Sequence, residues 1–146
     1  MDMQDNALKL ENQVCFPLYA AAREVVKQYR PFLEKIDLTY TQYICMMVFW
    51  EHGSCSVKEL GEKLWLDSGT LTPVLKSLEA KGYVRRSRSL ADERVVNVTI
   101  TEKGEAMKQD AEGIPAQVAG SIHMSEKDSL ELYRLLYKLL NAIDGE

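Results

Sequence analysis

Cys15, Cys45 and Cys55 are the strongest nucleophiles in the chain, and His52 and His123 are the only histidines that could serve one of them as a base. A thiolate attacks peroxides and disulfides; the neutral thiol does not. Pro17 marks the place where a thiolate is favoured. Proline costs a helix interior about 3 kcal/mol but is tolerated in the first turn. A helix is therefore predicted to start near Asn12–Val14, with Cys15 in or near its first turn; a kinked helix starting near Leu8 is the alternative. The positive end of the helix dipole then favours the anionic sulfur. On residue type alone, a small buried hydrophobe is the commoner role for such a cysteine. Cys45, inside the apolar run ICMMVFW, reads as core, and Cys55, on or near a short strand, as filler. No C-x-x-C or H-x-x-x-H spacing suggests a metal site. No histidine lies near Cys15 to complete an enzyme nucleophile, so neither catalytic residues nor a cofactor are expected. Gly61, Gly69 and Gly82 are isolated and make no phosphate loop.

A second kind of chemistry lies in the basic groups. The 146 residues carry 18 Lys+Arg against 22 Asp+Glu, a net charge of −4 that argues against a nucleic-acid partner. Their distribution argues the other way. Residues 76–100 hold six cations (Lys76, Lys81, Arg85, Arg86, Arg88, Arg94) and three anions (Glu79, Asp92, Glu93), a local balance of +3. Because screening limits each charge to roughly 10 Å, a local patch suffices to hold phosphates. By composition alone the same island fits a solvated charged hairpin.

The elements that must position these groups follow from period and punctuation. Residues 14–36 show apolar spacing of three and four, a long helix with Pro31 as a second kink or an end. Residues 40–51 form a buried helix stopped by Gly53. Ser56-Val57-Lys58-Glu59 is a capping box opening a helix over 57–64. Asp67 caps a helix running to Lys81, with Pro73 inside and Gly82 as the stop. The period then changes to two over 83–88 and 94–100, a β-hairpin with basic arms. Thr101 starts a helix interrupted near Gly113–Pro115. Ser125 caps the last helix, 126–143, whose Leu132, Leu135, Leu136, Leu139, Leu140 and Ile143 form a broad apolar stripe. The length suits one domain, the odd cysteine count argues against a disulfide scaffold, and neither a membrane span nor a signal peptide is expected. A cytoplasmic chain with reduced thiols is the expectation.

Two helices, a turn and a basic hairpin make a winged helix-turn-helix, a mainly α fold with a small β-hairpin wing. The second helix begins with small hydroxyl residues, Ser68, Thr70 and Thr72, which can reach base edges and phosphates from a helix N-terminus set in the major groove. Arg88 and Arg94 on the hairpin can enter the negative minor groove. Ordinary capping, for Asp67 and the hydroxyls, and surface solubility, for the hairpin, are the plainer alternatives.

The stretch LGEKLWLDSGTLTPVLKSLEAKGYVRRSRSLADERVVNVTITEKGE (60–105) resembles the DNA-binding core of the MarR family of dimeric winged-helix repressors. Asp92-Glu93-Arg94 followed by Thr101-Glu102-Lys103-Gly104 is its most diagnostic part. ENQVCFPLYAAAREVVKQYRPFLEKIDLTYTQY (11–43) and LDSGTLTP (66–73) are similar to the organic-hydroperoxide-sensing, OhrR-like branch. The likeness covers roughly residues 8–143, with residues past 105 matching only in helical character.

The resemblance implies one sensor cysteine, aligned with Cys15, and two tyrosines, Tyr29 and Tyr40, that hydrogen-bond it across a homodimer. A phenol O–H donated to sulfur favours the thiolate. Tyr19, one turn past Cys15, Phe16 and Trp50 are expected to line the same apolar site, which suits an organic hydroperoxide as inducer. Asp67, Ser68, Thr70, Thr72, Pro73, Lys76, Arg86, Arg88, Asp92 and Arg94 are the implied DNA-binding set. Residues 1–38 and 114–146 would supply dimerisation helices, and 39–113 the DNA-binding lobe. The two lobes would read a pseudo-palindromic operator in double-stranded DNA. No cysteine follows residue 55, so the oxidised sulfur would be trapped by a low-molecular-weight thiol or over-oxidised. Two departures stand out: Ser77 replaces a basic residue frequent in relatives, and Pro17 replaces a Leu or Ala. A repressor released by a small aromatic ligand, or a broader thiol-based regulator of oxidative stress and virulence, are the alternatives within the fold.

Overall fold

A computed structural model describes residues 6–144. After a 3-10 turn at Leu10–Asn12, α1 runs Cys15–Glu34. Pro17 is its third residue, where no intrahelical N–H partner is needed. The helix continues through Pro31 for one more turn, so that proline neither ends it nor breaks it. The two remaining options for its start resolve in favour of the shorter helix.

Helix α2 is Tyr40–His52. Its start is fixed by a full capping box: Thr39 Oγ1 accepts from the Gln42 N–H, and Gln42 Oε1 accepts from the Thr39 N–H at 3.0 Å. Gly53, at φ 78°, ends it, a conformation that glycine adopts without a Cβ penalty. Strand β1 (Ser54–Ser56) leads into α3 (Val57–Leu64). The expected box at Ser56 is only half formed. Ser56 Oγ accepts from the Glu59 N–H, but the Glu59 carboxylate accepts from the Ser56 hydroxyl and does not reach back to the backbone. Trp65 closes α3 in the left-handed region, at φ 58°, with its side chain exposed. Helix α4 follows over Ser68–Ala80.

Strands β2 (Val84–Arg88) and β3 (Val96–Ile100) pair antiparallel, Arg86 opposite Val98, and β3 also pairs with β1, giving the order β1-β3-β2. The hairpin arms are shorter than the period suggests. Arg94 and Val95 belong to the connection, because Asp92 Oδ1 accepts from the Arg94 N–H and the Asp92 carbonyl accepts from the Val95 N–H. This is the turn that an Asp side chain makes with its own backbone. Helix α5 covers Glu102–Ala111, capped by Thr101. Gly104 in its first turn admits no larger residue: a Cβ there would run into the Tyr83 carbonyl.

The core of this first unit, which ends at Ile114, is built from Leu33, Tyr43, Met46, Phe49, Leu60, Leu71, Leu75, Leu78, Val84 and Val98. Leu71, Leu75 and Leu78 lie on one face of α4 at helical spacing and are at most 1% exposed. Each such burial stabilises by about 1.5–3 kcal/mol, which seats α4 while leaving its opposite face free. The second unit begins at Pro115. Its main element is α7 (Glu126–Asp144), which follows α6 (Ile114–Ser121). The Ser125 hydroxyl caps α7 by accepting from the Asp128 N–H. Leu132, Leu135, Leu139 and Ile143 on α7 are exposed. No helix among the described residues is long and apolar enough to cross a membrane.

Candidate functional site

The exposed face of α4 carries Ser68, Thr72, Pro73 and Lys76, with Gly69 and Thr70 at its first turn. Ser68, Thr72 and Lys76 are each four apart and share one stripe. Asp67 is the cap: its Oδ1 accepts from the Thr70 N–H at 2.6 Å. That backbone bond holds its carboxyl below the usual range. Thr72 Oγ1 donates to the Ser68 carbonyl at 2.7 Å, which orients its lone pairs outward from the helix. Pro73 has no N–H, so the Gly69 carbonyl lacks its helical partner.

The hairpin cations divide into two kinds. Arg86 is half-buried and held by Glu79: its Nε and Nη2 donate to Oε1 at 3.2 and 3.1 Å, and its backbone N–H donates to Oε2 at 2.9 Å. The pair fastens β2 to the last turn of α4, and these bonds hold the Glu79 carboxyl below its ordinary value. Lys81 turns inward, to the Asp37 carbonyl and the Gln42 amide. At the tip, Arg88 Nη1 donates to the Glu93 carbonyl at 2.7 Å. Arg94 forks onto Asp92 through Nε and Nη2, both at 3.1 Å, yet its side chain stays 90% exposed. Lys76 and Arg85 are exposed and make no salt bridge among the described residues. Arg85 is absent from the set that the family likeness implies. Its position directly before the clamped Arg86, on the other face of β2, is the signal that marks it.

The thiols divide as sharply. Cys15 is exposed as the first residue of α1, whereas Cys45 and Cys55 are buried. Burial pushes the Cys45 thiol up to about 12, and it raises Cys55 as well. A groove lined by Lys9, Leu10, Glu11, Phe16 and Pro17 runs beside the first turn of α1. Tyr19, one turn on, is exposed and faces Arg23, whose guanidinium lies 5.5 Å from the ring centroid.

Tyr29 and Tyr40 meet, with ring centroids 5.0 Å apart, and Tyr43 joins them at 5.7 and 6.2 Å. Burial raises all three phenols above their ordinary value, so they remain O–H donors at neutral pH. Tyr43 escaped the sequence reading, although its spacing of three from Tyr40 puts both on one side of α2. Trp50 lies at the edge of Tyr43, centroids 6.4 Å apart, and its Nε1–H donates to the Gly104 carbonyl at 2.9 Å. Cys15 and Tyr29 are fourteen residues apart on one helix, about 21 Å at the α-helical rise. Within one chain the thiol and the tyrosine cluster therefore stand at opposite ends of α1.

The chain matches the family model for the transcriptional regulators SarA/Rot over residues 27–111. It is 46% identical over 143 residues to the organic hydroperoxide resistance transcriptional regulator of Bacillus subtilis, covering 98% of this chain and 97% of that protein. Its fold is similar to that of reduced AbfR bound to DNA, with a TM-score of 0.81 at 28% identity over 98% of each chain. Overoxidized AbfR bound to DNA gives a TM-score of 0.77 at 28% identity, over 97% of this chain and 99% of that one; AbfR is from Staphylococcus epidermidis. With its helix-turn-helix, its basic wing and an exposed thiol at the head of α1, the chain belongs to the MarR-type winged-helix transcriptional regulators, in the branch that holds the organic hydroperoxide resistance regulator.

Proposed function

We propose that the protein is a homodimeric, DNA-binding repressor that senses organic hydroperoxides through Cys15 and releases its operator when that cysteine is oxidised. The observation that carries this reading is the separation of the three thiols: Cys15 alone is exposed, at a helix start, while Cys45 and Cys55 are buried. The Cys15 thiolate attacks one peroxide oxygen. The O–O bond breaks, the second oxygen leaves with a proton as an alcohol, and the sulfur becomes a sulfenic acid, oxidised by two electrons. A low-molecular-weight thiol then condenses with it and expels water. Each Cys15 reacts once per oxidation, so the protein signals and does not turn over. The leucine stripe of α7 and the exposed positions of α1 supply the dimer contact in this reading. The Tyr29 and Tyr40 phenols of one protomer donate to the Cys15 sulfur of its partner. Ser68, Thr70, Thr72, Pro73 and Lys76 enter the major groove of a pseudo-palindromic operator, and Arg88, Asp92 and Arg94 form the wing contact. Arg86 acts through Glu79, fixing the wing against α4. Such a regulator works in the cytoplasm, where free thiols persist.

The test uses a duplex selected by the reduced protein from a random pool. One equivalent of cumene hydroperoxide is expected to abolish binding by the wild type. Cys15→Ser keeps its grip on the duplex through the same addition, while Cys45→Ser and Cys55→Ser still let go. Release by the Cys15→Ser variant would overturn the reading.

A further inference from the structure

A buried amide is hydrogen-bonded to the end of the recognition helix. Gln42 is 6% exposed and lies two residues past Tyr40, in the same first turn of α2. Its Oε1 accepts from the Thr39 N–H at 3.0 Å and from Lys81 Nζ at 3.2 Å, and its Nε2 donates to Ser77 Oγ at 2.9 Å. These partners fix the amide's direction, since turning it over would set its NH2 against two donors. Ser77 and Lys81, one helical turn apart, form the C-terminal end of α4. Lys81 Nζ also donates to the Asp37 carbonyl at 2.6 Å, and Asp37 sits in the left-handed region at φ 53°. The α1–α2 connection, the start of α2 and the end of α4 are thus tied at one point.

We infer that Gln42 is the positioning residue that carries a displacement of Tyr40 to α4; this rests on the reading of Cys15 as the sensor. Tyr40 and Gln42 share a helical turn whose backbone bonds are closed by the Thr39 box, so the two side chains move together. A buried amide that lost Ser77 and Lys81 would keep unpaired polar groups away from water, the costlier outcome. Helix α4 therefore follows Gln42, and the hydroxyl face at its N-terminus tilts in the major groove. Ser77 also gains a purpose here. The hydroxyl at the position where the family likeness leads one to expect a basic group faces Gln42.

The test compares full-length wild type, Gln42→Glu, Gln42→Leu and Ser77→Ala on the duplex selected by the reduced wild type, before and after one equivalent of cumene hydroperoxide. The quantity read is the ratio of oxidised to reduced Kd, with a thiol count to show that Cys15 has reacted. Gln42→Glu retains acceptors for the Thr39 N–H, Lys81 and the Ser77 hydroxyl, and is expected to keep the wild-type ratio. Gln42→Leu, similar in volume but without partners, is expected to oxidise fully while its ratio falls at least tenfold. A folded Gln42→Leu with the wild-type ratio overturns the inference, as does a Gln42→Glu that behaves like Gln42→Leu. If Gln42→Leu fails to fold, Ser77→Ala decides: at least a threefold smaller ratio supports the link, and an unchanged ratio overturns it. A wild type that holds its operator after oxidation overturns the sensor reading and this inference with it. Equal release by wild type and Gln42→Leu overturns this inference alone.

Discussion

Arg94 offers the sharpest test of the wing. Its guanidinium is 90% exposed and forked onto Asp92. Of its five N–H donors, the fork takes one on Nε and one on Nη2, leaving three free to meet DNA without breaking the pair. Arg94→Ala removes one cation from each wing. If each meets one phosphate, the dimer loses two contacts, and the slope of log K against log salt flattens by about 1.8. Between about 50 and 200 mM salt, two such contacts change affinity by roughly tenfold, so the loss caused by the variant shrinks by that factor across the range. Asp92→Ala keeps the cation and removes its clamp together with the side-chain bond to the Arg94 N–H that shapes the turn, so some affinity is lost while the slope stays unchanged. Fluorescence anisotropy of a labelled duplex, with each variant measured at three salt concentrations, reads both quantities. Equal losses with parallel slopes for the two variants would refute wing anchoring by Arg94 and leave the Asp92–Arg94 pair as a device that shapes the hairpin tip.

Three other outcomes are expected. If the Tyr29 and Tyr40 phenols donate to the Cys15 sulfur as proposed, Tyr29→Phe and Tyr40→Phe each remove one donor, worth about 1.5 kcal/mol for a charged acceptor. Second-order reaction of Cys15 with cumene hydroperoxide should slow roughly tenfold, and wild-type rates in both would remove the tyrosines from the site. Burial holds the Cys45 thiol at about 12 against an ordinary value of 9.0. A raised folded-state value means that its contribution to stability is complete below about pH 9 and is lost as the pH climbs toward 12. Urea titrations over that window should show a fall in stability that is reduced in Cys45→Ala. Gly104→Ala drives a Cβ into the Tyr83 carbonyl and should lower stability by about 1–3 kcal/mol, measured by thermal melting; a variant as stable as wild type would show that the α5 start can shift.

Most of the helical order was legible because its signals are local. Asp67, Thr101 and Ser125 cap where expected, Ser56 does so without the return bond from Glu59 to its backbone, and Gly53 and Gly82 adopt the positive φ that a helix stop requires. What was not legible is partner choice between distant elements. An arginine in a basic hairpin satisfies a phosphate or a carboxylate equally well by its chemistry. Only the packing of β2 against α4 brings Arg86 to Glu79. Tyr43 and Gln42 read as ordinary helix residues until the turn of α2 and the end of α4 are placed side by side, and Ser77, which stands out only as a departure from the family likeness, gains its partner Gln42 there. The short strand at Cys55 is expected from the sequence, but its pairing with β3 depends on tertiary placement, since three residues carry no signal of their partner.

Trp65, held in the left-handed region with its indole exposed just before the cap of α4, makes the molecule its own optical probe. The chain has two tryptophans, and the other, Trp50, is fixed by its hydrogen bond to the Gly104 carbonyl. Trp65 is exposed and Trp50 half-buried, so their emission separates into a more water-exposed, red-shifted component and one that soluble quenchers reach less readily. Iodide will extinguish the Trp65 light first. Anything that covers the turn before α4, including a duplex lying along that face, will protect it while leaving Trp50 unchanged. Engagement of the recognition helix can thus be followed in the unlabelled protein, with the second indole as the internal reference.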